Sequence, residues 1–349
     1  MKVVVTGGAG FIGSNFVRYL LAHRPGYSIR NLDKLTYSGN LHTLRDVEKN
    51  RRHTFVRGDI GDRRKVAEVL KGVDAVVHFA AESHVDRSIL DSTAFVKTNV
   101  QGTQCLLDVA RHAGVRRFVL VSTDEVYGSA SSGEKFTEES QLAPNSPYAA
   151  SKAGADLLAR AYFRTYRFPV IITRCTNNYG PYQYPEKFIP LIITRALQGE
   201  CIPVYGDGLQ VRDWIHVTDH CAGLDAVLHN GREGEIYNLG AGNEWPNLDI
   251  ARRILQLVGK DDSLLTYVQD RPGHDRRYAL NSDKAHRELG WSPQIGLEDG
   301  LKQTVEWYLA NGDWVRRVAA RAYRLYYRRQ YDRRDSTLKE VLHGGRKNA

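Results

Sequence analysis

The sequence predicts an α/β fold: a doubly wound parallel sheet with a smaller α/β lobe attached. Three observations predict it. Short β-branched runs alternate with longer helical patterns over the first half of the chain, and a glycine-rich turn follows directly on the first run. The 349 residues, 42% apolar, suffice to bury one large core, or a large core and a smaller one.

The elements follow in order. Residues 2–6, 28–32, 54–57, 75–79, 118–122 and 170–174 read as buried strands. Residues 11–22, 63–70, 92–113 and 147–166 read as the helices between them. Such alternation places helices on both faces of the sheet and a ligand beyond the carboxyl ends of the strands. After residue 174 the pattern is less regular. Residues 177–182 are a loop of turn formers; helices fit 186–197, 218–229, 247–257 and 297–309, and short strands fit 202–205 and 211–215.

Charge and composition narrow the function classes. The net charge of +9 is local: residues 316–349 hold eleven Lys/Arg and three acids, which leaves +1 for the first 315 residues. No nucleic-acid partner is expected on that distribution. No apolar run is long enough to span a bilayer, and a strand begins at Lys2 with no leader ahead of it. Cys105, Cys175, Cys201 and Cys221 have no C-x-x-C spacing and read as reduced thiols of a cytoplasmic protein.

Gly7-Gly8-Ala9-Gly10-Phe11-Ile12-Gly13 closes the first strand and opens the first helix. Glycines at this spacing permit a tight turn and let a pyrophosphate reach the N–H groups of the helix terminus. Asp33 lies twenty residues after Gly13, at the end of the second strand. Its carboxylate suits an adenosine ribose and repels a 2′-phosphate, which favours NAD over NADP; Lys34, next to it, works the other way. Asp59 and Ile60 end the third strand and are expected to meet the adenine. Phe79, Ala80, Ala81, Glu82 and Ser83 end the fourth and let the backbone run close to the cofactor.

Ser146 and Pro147 read as an N-cap and a first helical residue, which puts Tyr148 in the first turn and Lys152 one turn on along the same face. An ammonium about 4 Å away is worth up to about 4 kcal/mol, enough to bring a phenol of pKa about 10 toward neutrality. Lys152 is therefore expected to make Tyr148 a base for an alcohol. Ser122, Thr123, Asp124 and Glu125 close the fifth strand at the ligand end, where two adjacent carboxyl groups are costly unless they bind or react. Neighbouring acids in different surroundings can serve as one acid and one base.

At this point the chain resembles an extended short-chain dehydrogenase/reductase, and more narrowly the dTDP-glucose 4,6-dehydratases. The resemblance rests on the glycine loop, Ala81-Glu82-Ser83-His84-Val85-Asp86-Arg87-Ser88, Thr123-Asp124-Glu125-Val126-Tyr127-Gly128 and Pro147-Tyr148-Ala149-Ala150-Ser151-Lys152. It continues through Asn177-Asn178-Tyr179-Gly180-Pro181-Tyr182-Gln183, Pro185-Glu186-Lys187-Phe188-Ile189-Pro190 and Asp270-Arg271-Pro272-Gly273-His274-Asp275, over roughly residues 1–312.

The resemblance implies a Rossmann-type NAD-binding domain over 1–174, with segments near 210–230 returning to it. It implies a mostly substrate-binding lobe over 175–315, a basic extension over 316–349, and a homodimer through the 92–113 and 147–166 helices. Tyr148, supported by Lys152 and Thr123, would take the glucose 4-hydroxyl proton while hydride moves to NAD. Glu125 would remove the proton at carbon 5, and Asp124 would protonate the departing 6-hydroxyl. Thr98, Ser122 and Asn178 join the expected cofactor residues, and Ser83, Thr123, Asn177 and Arg271 the substrate residues. Arg212, Asn247 and His274 are expected at the diphosphate, and Lys187, Pro203 and Tyr205 at the nucleoside end. For Arg212 the alternative is a surface ion pair with Asp213.

Other readings remain at this stage. A sugar-nucleotide 4-epimerase needs the tyrosine and lysine but not the two carboxyl groups, and an NAD-sensing regulator needs none of the four. His216 and His220, four apart beside Asp219, lack a third ligand at a convincing spacing, so no metal is expected. His84 is expected to orient the cofactor loop or pack. The tail departs from the family's pattern: Val315, Val318, Ala322 and Leu325 lie at helical spacing among arginines and tyrosines, and are expected to pack on the chain or its dimer mate.

Overall fold

A computed structural model describes residues 1–318 together with Tyr327, Gln330 and Tyr331. Its strands are β1 Lys2–Thr6, β2 Ser28–Asp33, β3 His53–Arg57, β4 Ala75–His78, β5 Arg117–Thr123, β6 Val170–Cys175, β7 Asn177–Tyr179, β8 Ile202–Tyr205, β9 Val211–His216, β10 Ile236–Leu239, β11 Glu244–Pro246 and β12 Leu265–Val268. Seven of them form one parallel sheet in the order β10–β6–β5–β4–β1–β2–β3. The direction of winding reverses between β1 and β4, and that switch point opens a crevice at the carboxyl ends.

Alternation along β1 shows why the sheet is buried on both faces. Val3 and Val5 enter one core with Phe16, Leu20, Leu224 and Val227, from the Phe11–His23 and Val217–Asn230 helices. Val4 enters the opposite core with Val66, Leu106 and Ala155, from the Arg63–Val69, Thr103–His112 and Pro147–Tyr166 helices. A third core holds Tyr179, Ile192, Trp214, Ile254, Leu301 and Tyr308, outside the main sheet. There β7, β9 and β11 form a small sheet, and β8 pairs with β12.

Two departures from the expected elements bear on the site. The 92–113 helix is divided into Thr93–Phe95, a π-helical turn Val96–Gly102 and Thr103–His112. Such a turn re-aims side chains within a helix and is common at functional sites. Here it carries Asn99, which receives the backbone N–H of Glu82 at 2.8 Å and donates to Glu82 O at 2.9 Å.

The seventh strand of the sheet, β10, was not expected, because Ile-Tyr-Asn-Leu is short and carries a polar residue at its centre. That residue, Asn238, stands beside Arg174 of β6 and accepts the Tyr127 hydroxyl at 2.9 Å, so its polarity is used internally. At the C-terminal end, Gly312–Val318 is helical; Val318 is buried and Val315 packs against the third core. Ala322 and Leu325 lie outside the described residues.

Candidate active site

The glycine turn is shaped for close approach. Gly7 has φ +71°, and a Cβ there would stand 2.7 Å from the Ala80 nitrogen. A Cβ on Gly13 would stand 2.5 Å from the Gly7 carbonyl oxygen. The Phe11–His23 helix is capped by Gly10 with no side-chain cap, so its terminal N–H groups face the crevice without an internal anion. Asp33 lies at the end of β2, where its Oδ2 accepts Ala9 N–H at 2.9 Å and its Oδ1 accepts Leu35 N–H at 2.7 Å. These features fit an adenine dinucleotide.

All the cofactor candidates line one cavity: Gly7, Gly10, Phe11, Ile12, Gly13, Asp33, Lys34, Asp59, Ile60, Phe79, Ala80, Ala81, Ser83, Thr98, Ser122, Tyr148, Lys152 and Asn178. Lys34 is paired with Asp59 at 2.7 Å.

A second cavity opens toward the smaller lobe. It is lined by Ser83, Asn177, Lys187, Pro203, Tyr205, Arg212, Asn247, Arg271 and His274. Glu125 and Lys187 line both cavities, and Thr123 and Asp124 line the first. Arg212 does not pair with Asp213. Successive strand residues point to opposite faces. The guanidinium donates to Asp275 O at 2.9 Å and lies 4.2 Å above the Tyr278 ring, while Asp213 accepts the Ala241 and Asn243 N–H groups. The Lys187 ammonium donates to Ser83 O at 2.6 Å.

The reacting groups meet where the cavities join. Ser146 caps the Pro147–Tyr166 helix, accepting Ala149 N–H at 3.1 Å, with Pro147 next. Tyr148 therefore begins the helix and Lys152 follows one turn on. Thr123 caps the 3₁₀ turn Asp124–Tyr127. Its hydroxyl donates to Asp124 Oδ1 at 3.1 Å and accepts Glu125 N–H at 3.3 Å.

The two carboxyl groups have different surroundings. Asp124 is buried, 2% exposed, and burial followed by the Glu125 charge pushes its carboxyl well above the usual range. Burial also raises Glu125, but the cations Arg271, Lys187 and Arg212 oppose that rise. The expected effect of Lys152 on Tyr148 needs correction. Lys152 donates to Val121 O at 2.8 Å, and burial lowers its own pKa. Burial, Glu125, Cys175 and Asp124 push the Tyr148 phenol well above its ordinary value, with Thr123 acting in the opposite direction.

Sequence reasoning missed several contributors. Asp86 lies 3.6 Å from Arg271 and accepts the Tyr205 hydroxyl at 3.2 Å, bridging two substrate candidates. It lies within the 81–88 segment, but nothing local reveals its distant partners. Glu186 pairs with Arg87 at 2.8 Å, and Arg87 lies 3.9 Å over the Tyr37 ring at the cavity edge. Tyr331 of the basic extension lines the second cavity, and Gln330 donates to the Tyr205 hydroxyl at 3.0 Å. His220 and His216 have structural partners: His220 Nδ1 meets Asn178 Oδ1 at 2.8 Å, and His216 caps its helix through Thr218 N–H. His84 is buried in the wall of the second cavity, 3.8 Å from Asp86.

Comparison with known proteins agrees with this geometry. The family profile described as GDP-mannose 4,6 dehydratase matches residues 4–304. A dTDP-glucose 4,6-dehydratase from Streptomyces niveus is 53% identical over 318 residues, covering 90% of this chain and 94% of the relative. One from Shigella flexneri is 48% identical over 361 residues, covering 96% of this chain and 100% of the relative. That second alignment runs into the C-terminal extension, so the tail departs from the family less than its composition suggests.

Among solved structures, DesIV, a dTDP-glucose 4,6-dehydratase from Streptomyces venezuelae crystallised with NAD and the ligand TYD, superposes with a TM-score of 0.90 at 55% identity, covering 91% of this chain and 100% of that one. A UDP-glucuronic acid 4-epimerase from Bacillus cereus shares the architecture at 29% identity, with a TM-score of 0.84 over 89% of this chain and 99% of its own. The chain belongs to the GDP-mannose 4,6-dehydratase family and, within it, to the dTDP-glucose 4,6-dehydratases.

Proposed function

We propose that the protein converts dTDP-glucose to dTDP-4-keto-6-deoxyglucose in deoxysugar biosynthesis, using NAD as a resident cofactor. The observation that carries this reading is the convergence of Tyr148, Thr123, Asp124 and Glu125 at the junction of a dinucleotide cavity and a cation-lined cavity. NAD, when bound, accepts a hydride from the sugar and returns it later in the same turnover.

The chain's own residues move the protons. Tyr148 takes the proton of the 4-hydroxyl, with Lys152 one turn on along the helix; burial raises its phenol, and the positive charge that NAD would bring to the cavity favours the phenolate. The 4-ketone acidifies the hydrogen at carbon 5, which Glu125 removes. Three cations near Glu125 favour its charged, basic form. Asp124, held protonated by burial and by Glu125, protonates the departing 6-hydroxyl. Its Oδ2 is buried without a hydrogen-bond partner among the described residues, which leaves it for that group. Glu125 returns its proton to carbon 5. Arg212, Asn247 and His274 take the diphosphate, with Ser83, Asn177 and Arg271 beside the sugar; Pro203 and Tyr205 take the nucleoside end, whereas Lys187, expected there, lies against Ser83 O and Glu125 at the sugar.

The same proposal assigns residues 1–174, with later returning segments, to cofactor binding, 175–315 to substrate binding and 316–349 to a basic extension. It includes a homodimer through the two long helices, where Val96, Leu157 and Tyr166 are exposed apolar groups. A cytoplasmic setting belongs to it as well; no helix among the described residues is long and apolar enough to cross a membrane, and the four cysteines are unpaired.

Purified protein incubated with dTDP-glucose is expected to yield a product lighter by one water, read by mass spectrometry. A product of unchanged mass would instead favour the 4-epimerase reading.

A further inference from the structure

The basic extension contributes a side chain to the substrate cavity. Tyr331 lines that cavity together with Pro203, Tyr205, Arg212 and His274. The lining is graded along its length. Arg212 and His274 are the donors assigned to a diphosphate, and aromatic rings stand beyond them. The Tyr205 ring is 6.1 Å from the His274 ring, and the Tyr331 ring is 6.0 Å from the Tyr205 ring. Tyr331 is therefore two ring-to-ring steps from a diphosphate donor, a reach comparable to that of a ribose and its base.

Tyr331 is held from two sides. Its neighbour Gln330 is buried and donates to the Tyr205 hydroxyl at 3.0 Å; that hydroxyl donates in turn to Asp86 at 3.2 Å. On the other side the Tyr331 ring lies 4.6 Å from the Tyr327 ring, and the Arg195 guanidinium lies 4.4 Å from the Tyr327 ring. Arg195 comes from the Phe188–Gln198 helix and pairs with Glu200 at 2.8 Å. A terminal segment tied down by a buried amide, a ring pair and a cation–π contact belongs to the smaller lobe. An aromatic side chain fixed in this way loses little conformational freedom when a ligand arrives.

We propose that Tyr331 completes the nucleoside end of the substrate site by stacking on the base of the nucleoside diphosphate sugar, with Gln330 and Tyr327 as its positioning residues. Every base has a π face, so such a contact adds affinity without choosing between thymine and uracil. The diphosphate stays with Arg212 and His274. This inference rests on the sugar-nucleotide reading above and deepens it.

The test measures binding to the NAD-loaded full chain by calorimetry, with dTDP, UDP and pyrophosphate as probes. Tyr331→Ala is expected to weaken dTDP and UDP in parallel, by roughly 10-fold to 10²-fold, the scale of one lost base–aromatic stack. Tyr331→Phe keeps the ring and is expected to bind both nucleotides as the unaltered chain does. Pyrophosphate carries the diphosphate without a nucleoside, and its binding is expected to be the same in all three chains.

Equal dTDP binding by Tyr331→Ala and the unaltered chain would overturn the stack. A loss in Tyr331→Phe as large as in Tyr331→Ala would overturn it too, since the hydroxyl would then carry the contact. An equal loss for pyrophosphate would do the same by placing the effect on the diphosphate donors. If the unaltered chain binds neither dTDP nor UDP, the sugar-nucleotide reading itself fails, which separates the two failures.

Discussion

Asp124 and Glu125 are nearly the same chemical group, adjacent in the chain, and their surroundings make them different. One lies under the other's charge in a water-excluded turn; the other faces Arg271, Lys187 and Arg212. Two consequences can be measured. Glu125→Gln removes the base while keeping the shape, so the first oxidation proceeds and elimination stops. Bound NADH is then expected to accumulate in near-ultraviolet absorbance, with turnover down by roughly 10²–10⁴-fold. Arg271→Gln removes the cation that most strongly opposes protonation of Glu125. The Glu125 carboxylate is then less favoured, its pKa rises, and the acidic limb of the kcat profile moves to higher pH. A kcat titration of the variant against the unaltered enzyme checks the direction. The residue types at 123–125, 148 and 152 were legible in the sequence. Their electrostatic split was not, because the cations that create it stand 62 to 146 residues further along the chain.

At the scale of elements, the reacting turn is held from behind by a buried polar network. Arg174 of β6 donates to Asp156 at 2.9 Å and to the Tyr127 hydroxyl at 2.7 Å, and Tyr127 donates to Asn238 of β10 at 2.9 Å. The helix, the catalytic turn and two strands thus share one set of hydrogen bonds. Arg174→Met leaves Asp156, 1% exposed, as an unpaired buried carboxyl, which costs about 3–5 kcal/mol. The double variant Arg174→Met/Asp156→Leu is expected to recover most of that loss in urea unfolding, because the penalty belongs to the orphaned charge.

The glycine turn carries a steric counterpart. Gly13→Ala places a methyl 2.5 Å from the Gly7 carbonyl oxygen, so the turn must open, and the purified variant is expected to lose bound NAD by absorbance ratio. Capping and glycine chemistry made these element starts readable: Ser146-Pro147 marked its helix, and Gly7 to Gly13 marked the first one. The π turn at Val96–Gly102 and the strand β10 were hidden, since each follows from a long-range polar contact, through Asn99 and Asn238, with no periodic signal in the chain.

Over the whole molecule, alternating strands and helices disclosed the parallel sheet. They did not disclose how β10 and the Val217–Asn230 helix return to it across the smaller lobe, because that depends on packing between distant segments. The same distant packing buries histidines that locally look like ordinary polar residues. His78 sits between the Thr6 and Thr103 hydroxyls at 2.7 and 3.0 Å, and burial lowers its pKa to about 3. Burial also lowers His220 to about 3 and His216 to about 4.

All three are neutral in the folded chain, while their unfolded counterparts take a proton near pH 6.5. A depressed folded pKa gives stability that is complete above the unfolded value and is lost as pH falls toward the folded one. Asp213 works in the opposite sense. Its pKa is raised to about 6, so its contribution is present at low pH and fades as pH rises from 3.8 through that value. Near pH 5 the unfolded state therefore binds about three histidine protons more and about one aspartate proton fewer. The net difference is about two protons, a slope of about 2–3 kcal/mol per pH unit from these four groups. Asp33, Glu82, Asp124, Glu125, Glu138 and Glu186 are also raised and act in the same sense as Asp213, so the histidine share is read as a difference between variants. Calorimetric melting between pH 6 and pH 4 checks this. His220→Asn should lower the slope by about 1.4 kcal/mol per pH unit, one proton's share, whereas an unchanged slope would show that the buried histidines do not govern the pH dependence.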